Sequence, residues 1–188
     1  MRKYCLLFLI ITGTVRSQTG DSQNEIQTER TIEGMGHFLH LALPAAAGLS
    51  TVIVGDKKGS WQFLKSFSAN LAATYTLKYA FNKPRPEGAL DGLAFPSGHT
   101  SVAFNSAAFI QKRYGLKYGI PAYILAGFVG YSRIEGLNDR HDGWDVLGGV
   151  AVGVGSAYLF TTDYKKQRMD LTFTRVEGHY MVGFSYKF

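Results

Sequence analysis

The chain alternates long apolar stretches with short polar breaks. Residues 36–54 are apolar almost throughout, with Pro44 inside as a kink. Residues 56–60 read as a turn, with Ser60 as an N-cap for the second helix. From 61 to 81 the apolar positions Trp61, Leu64, Phe67, Leu71 and Tyr75 recur at helical spacing, and Pro84 and Pro86 end the run. Ser97 then caps a helix over 98–113. Residues 120–131 form a fourth apolar segment, with Pro121 in its first turn. Residues 144–160 form a fifth, whose glycines and small residues recur every three or four positions and allow close helix packing. Near the C-terminus the period changes to two. Leu171 to Thr174 alternates, as does Val182 to Phe188, with Glu177 and Gly178 between them. The expected fold class is therefore all-α. A helical bundle of about five core helices spans 35–163, and a short C-terminal β-hairpin over 164–188 packs on it.

The N-terminus has a different character. Arg2 and Lys3 precede an apolar run over 5–12, and Val15 to Ser17 offers a cleavage site, the layout of a secretory signal peptide over 1–17. The run is far short of the ~20 residues that cross a bilayer. Cleavage after Ser17 removes Cys5, the only cysteine, which leaves no thiol nucleophile and no thiolate metal ligand. Residues 18–34 are polar and lack apolar periodicity, so they read as a linker. Lys65, Ser66, Ser68, Asn70, Asn105, Gln111 and Lys112 load the second and third helices with polar groups. Together with a mean hydropathy of −0.03, this favours a globular or peripherally membrane-associated bundle. The protein is thus expected outside the cytoplasm, in the periplasm or associated with the membrane of a bacterial cell envelope.

Charge narrows the partners. Lys and Arg outnumber Asp and Glu, 20 to 14, so the chain favours anions. No zinc-finger spacing and no basic–aromatic stretch is present, so nucleic acid is not an expected partner.

Three clusters carry chemistry. Lys78 and Arg85 are seven apart, close to two helical turns, and prolines fix the chain around Arg85. Arginine grips phosphate as a planar two-pronged donor. Next, Pro96, Ser97, Gly98 and His99 open a helix whose N-terminus is an anion site, with Gly98 allowing close backbone approach. A histidine there can donate a proton to a leaving oxygen. Last come Ser132 and Arg133, then His141 and Asp145, four apart on one helix face. A carboxylate accepting from one ring nitrogen leaves the other free to attack. His37 and His40, three apart, offer half a metal site with no carboxylate partner in view. Asp139 and Asp142 flank His141 and either tune its pKa or are plain loop residues.

Taken together and in order, these clusters resemble the signature of the type 2 phosphatidic acid phosphatase (PAP2) and vanadium haloperoxidase superfamily. Lys78, Arg85 and Pro86 match its first part, Pro96 to His99 its second, and Ser132, Arg133, His141 and Asp145 its third. The third departs from the pattern, because seven residues rather than five separate Arg133 from His141. Arg140, in the inserted loop, competes with Arg133 for its place.

The resemblance implies a metal-independent phosphatase that needs no cofactor and works through a phosphohistidine. His141 is the implied nucleophile and Asp145 orients it. His99 is the implied general acid and base. Lys78, Arg85, Ser97, Gly98 and Arg133 are implied to bind phosphate. The expected substrate is the phosphate monoester or diphosphate of a lipid or isoprenoid in the cell envelope. Alternatives are a broad acid phosphatase for small phosphomonoesters, a vanadium haloperoxidase, and an envelope protein whose catalytic set has decayed.

Overall fold

The computed structural model describes residues 22–85, 93–136, 141–164, 169–176 and 179–186. The signal peptide expected over 1–17, Pro86, Asp139 and Arg140 lie outside these residues. Five helices run in chain order: α1 Ser22–Ile53, α2 Lys57–Phe81, α3 Gly98–Tyr114, α4 Leu116–Glu135 and α5 Gly143–Phe160. Two strands follow, β1 Met169–Val176 and β2 His179–Tyr186. The all-α bundle with a terminal hairpin is what the periodicities predict. α3 lies at the centre and packs against each of the other four helices.

Several boundaries differ from expectation, each for a local reason. The segment read as a linker over 18–34 is helical from Ser22, as the first three turns of α1. Its inward positions are Ile26, Glu29, Ile32, Glu33 and Gly36, so the helical period is present but shared between isoleucine and glutamate. An apolar-periodicity reading cannot see it. α2 begins at Lys57 because Asp56, not Ser60, is its N-cap, its Oδ1 accepting the Gly59 N–H at 2.8 Å. α2 ends at Asn82, whose left-handed φ of 42° lets its N–H return to the Lys78 carbonyl at 3.0 Å. α4 starts at Leu116, directly after Gly115 at φ 95°, so Pro121 sits inside the helix rather than in its first turn.

The hairpin pairs antiparallel, Met169 opposite Tyr186 through Val176 opposite His179. Tyr180, Met181 and Val182 are consecutive and all exposed. Successive strand residues point to opposite faces, so both faces are uncovered there.

Three of the polar residues predicted to keep helices away from lipid point inward instead, whereas Lys65 and Ser68 are exposed. Ser66, Asn70 and Asn105 are fully buried. Asn105 Nδ2 donates to the Gly153 carbonyl at 3.3 Å, and the Thr74 and Ser101 hydroxyls meet at 3.0 Å. Between them run contacts of small residues. A Cβ added to Gly149 would sit 2.6 Å from the Ser97 carbonyl oxygen, and one on Gly153 would overlap that of Ser101. α5 therefore touches α3 backbone to backbone. The outside is correspondingly apolar. Phe38, Leu41, Val52 and Ile53 of α1, Ile120 and Ile124 of α4, and Leu147 and Leu159 of α5 are all exposed. α1 and α5 are long and apolar enough to cross a membrane, by length and composition. Hydropathy averaged over the whole chain hides this arrangement, because it mixes a polar interior with an apolar exterior.

Candidate active site

The three motif clusters converge on one cavity of about 590 Å³ between α1, α2 and α3. Lys78, Arg85, Gly98, His99 and His141 contribute to its wall, and Leu41, Phe67, Leu71 and Val102 make much of the remainder apolar. Lys78 reaches it from the last turn of α2, held by its Nζ donating to the Leu93 carbonyl at 2.9 Å. Arg85 comes shortly after the left-handed turn at Asn82. Gly98 and His99 open α3. Ser97 stands behind them, fully buried. Its Oγ accepts from Thr100 at 3.0 Å and makes no cap bond, and its N–H donates to the Asp145 carbonyl at 2.9 Å.

His141 and Asp145 do meet, but not on a helix face. Asp142 is the N-cap of α5 and forms a capping box with Asp145, each carboxylate accepting the other's N–H, at 3.0 and 3.1 Å. His141 thus precedes the helix. Its Nδ1 lies 3.4 Å from Asp145 Oδ2, and both residues are buried. The two inserted residues do not separate Arg133 from the site. The His141 N–H donates to the Arg133 carbonyl at 2.8 Å, which ties the two residues across the loop. The Arg133 side chain is fully buried, with Nη2 donating to the Glu33 carbonyl at 3.1 Å. α1 comes close enough for this only because residue 36 is glycine; a Cβ there would overlap Ser132 Oγ.

Three features escaped the sequence. Lys83 Nζ donates to Asp145 Oδ1 at 2.8 Å and also to Asp142 Oδ2. Asp145 is thereby held by Lys83, the Asp142 N–H and His141 together. Partial burial would lower the Lys83 pKa, but the two carboxylates outweigh it and hold it above the ordinary value. Lys83 sits in the first cluster, yet no spacing rule singles it out. The second feature is His99 Nε2, which lies 3.1 Å from His37 Nδ1. His40 stacks edge-on against the same ring, with centroids 4.1 Å apart. The third is Glu33, buried in the supposed linker, with its carboxylate 3.8 Å from His37 Nε2.

The electrostatics follow from burial beside cations. Burial, with the Arg85 guanidinium nearby, pushes the His141 imidazole down to about 4, although Asp145 pulls the other way. Burial, with His40 and Arg133 adding to it, pushes His99 down to about 2. Both rings are therefore neutral near pH 7. A neutral imidazole whose Nδ1–H faces a carboxylate carries its lone pair on Nε2, the nucleophilic nitrogen, and the surrounding cations suit a dianionic phosphoryl group.

The family model for the PAP2 superfamily matches residues 59–169. The lipid A 4'-phosphatase of Helicobacter pylori is 31% identical over 171 residues, which are 83% of this chain and 85% of that protein. The lipid A 1-phosphatase of Porphyromonas gingivalis is 42% identical over 80 residues, 41% of this chain but only 17% of the relative. The crystal structure of Aquifex aeolicus LpxE has the same fold, with a TM-score of 0.52 and 21% identity over 71% of this chain and 92% of that one.

Proposed function

This chain belongs to the PAP2 superfamily and is a phosphatase of that type, and we propose that its substrate is the phosphate of a lipid A-like glycolipid at an envelope membrane. The carrying observation is the cavity itself, whose wall combines the cations Lys78 and Arg85 and the histidines His99 and His141 with apolar side chains. A lipid phosphate presents the same polarity. Both relatives described as lipid A phosphatases point to this class. The exposed apolar residues of α1, α4 and α5 suit contact with lipid. A small soluble phosphomonoester would leave the apolar walls unused.

In the proposed reaction, Lys78, Arg85 and Arg133 neutralise the non-bridging oxygens, and the Gly98 N–H adds a hydrogen bond. Ser97 braces the start of α3 and α5 from behind the wall. The His141 Nε2 attacks phosphorus, the bond to the alkoxide breaks, and His99 gives that oxygen a proton. Asp145, held by Lys83, stabilises the positive imidazole. Water then attacks the phosphohistidine with His99 as base, releasing phosphate.

The test is phosphate release by the purified full chain in detergent, from lipid A, phosphatidic acid and an aryl phosphate. Lipid A is expected to be turned over fastest. An aryl phosphate handled equally well would overturn the lipid reading.

The pH dependence follows from the two histidines. His99 is neutral in the free protein, so the proton it donates must arrive with the substrate monoanion. A phosphate monoester loses its second proton near pH ~6. kcat/KM is therefore expected to rise as pH falls through about 6, and to drop again as His141 protonates near 4. A single acid limb near the ordinary histidine value of 6.5 would contradict this assignment.

A further inference from the structure

Three imidazoles from two helices meet beside the cavity, and the reaction uses only one of them. His37 and His40 lie about one turn apart on α1, and His99 comes from the first turn of α3. One ring nitrogen from each lies within 4.8 Å of the other two. The surroundings set which nitrogens are bare. His40 Nδ1 donates to the His37 carbonyl at 2.7 Å, leaving the Nε2 lone pair free. His37 Nε2 faces the Glu33 carboxylate at 3.8 Å, leaving Nδ1 to face His99 Nε2 at 3.1 Å. Tetrahedral zinc with bonds of about 2.0–2.1 Å sets its ligand nitrogens about 3.3 Å apart. The His37–His99 pair is already near that separation, and His40 completes the set with a small ring movement.

We propose that His37, His40 and His99 form an inhibitory binding site for a borderline transition-metal ion of the Zn²⁺ class. Glu33 stands behind His37 as the carboxylate that orients a metal-bound histidine. It also offsets Arg133, whose guanidinium reaches the same turn of α1 through the Glu33 carbonyl and opposes any cation. Three histidines leave the fourth position open toward the cavity. Inhibition rests on the proton-transfer role proposed for His99, because a nitrogen bonded to metal can neither donate nor accept a proton. Occupation of the site would stop the reaction at both of its proton transfers.

The test uses the full chain, stripped with chelator and returned to metal-free buffer, with Co²⁺ and Zn²⁺ as probes. One equivalent of Co²⁺ is expected to give the absorption of a four-coordinate ion, and Zn²⁺ to displace it. His37→Gln and His40→Gln are each expected to weaken Zn²⁺ binding at least ~100-fold, and Glu33→Gln by about 10- to 100-fold. Far-UV circular dichroism checks that each variant is folded. Zn²⁺ should inhibit the natural protein, and each glutamine variant should resist it relative to its own metal-free rate. No Co²⁺ spectrum, or unchanged affinity in a folded His37→Gln, His40→Gln double variant, overturns the site. Tight binding without inhibition leaves the site standing but overturns its inhibitory role and the part assigned to His99.

Discussion

Replacing His141 with alanine is expected to lower phosphate release by at least about 10⁴-fold, in line with losing the nucleophile of a covalent mechanism. The size follows from His141 being the cavity imidazole that a carboxylate, Asp145, orients for attack. The only cysteine is Cys5, far from the motifs in sequence, and His99 Nε2 already faces His37. Water attacking in place of His141 would meet the same cations, so a small residual rate should survive, as it does when other nucleophiles are removed. Asp145→Asn should cost less, because the imidazole remains but loses its orienting carboxylate. The measurement is the initial rate on lipid A, paired with trapping of an acid-labile phosphoprotein. Natural protein should give the labelled species and His141→Ala should not. A variant that kept most of its rate would move the nucleophile elsewhere and undo the reading of all three motifs.

The second large effect lies far from the chemistry. Asp56→Asn is expected to destabilise the fold by about 3–5 kcal/mol, the cost of leaving a buried arginine without its counter-ion. Asp56 Oδ2 accepts from Arg113 Nε at 2.6 Å and Oδ1 from Nη2 at 2.5 Å, and both side chains are buried. Asp56 also caps α2, and Tyr114 donates to it at 3.2 Å. This one carboxylate thus joins the α1–α2 turn to the end of α3. At ~2–4 °C per kcal/mol for a chain of this size, the melting midpoint should fall by roughly 6–20 °C. Replacing both partners with apolar residues of similar volume should recover most of the loss, because the penalty belongs to the unpaired charge. The pH dependence has a definite sign. Burial would raise the Asp56 pKa, but Arg113 outweighs it and holds it below the ordinary 3.8. The stabilisation is therefore full above that value and lost as pH falls through the lower, folded one. A melting midpoint unchanged in Asp56→Asn would show that the pair carries no stability.

Much of the candidate site could be read from residue order, because the motifs are local. Lys78 and Arg85, the run from Pro96 to His99, and the pair His141 and Asp145 each lie within a few turns of chain, where geometry follows from spacing. The same holds for the five helices, whose apolar periods repeat every turn, and for the hairpin. Even here locality misled where a cap intervened. Asp142 starts α5 one residue after His141, so the histidine and Asp145 meet across a helix end and not along a face.

What tertiary structure decided was every property that depends on which side of a helix meets another. Periodicity locates a face but does not say what lies opposite it. Ser66, Asn70 and Asn105 read as a barrier to lipid, yet they are buried between helices: Asn70 Nδ2 meets Ser101 Oγ of α3, and Asn105 Nδ2 reaches the Gly153 carbonyl because α3 and α5 approach closely at Gly149 and Gly153. Lys83 became a support for Asp145, 62 residues away, only once the turn at Asn82 aimed it there. His37 meets His99 across another 62 residues, and Glu33 stands behind it only because the polar start of the chain is helical. Sequence by itself determined most of the helices, the family and the candidate reacting groups, since those are set by near neighbours along the chain. The polar interior and the groups that hold and surround the two histidines came from packing, since contacts between distant residues depend on how whole helices fit together.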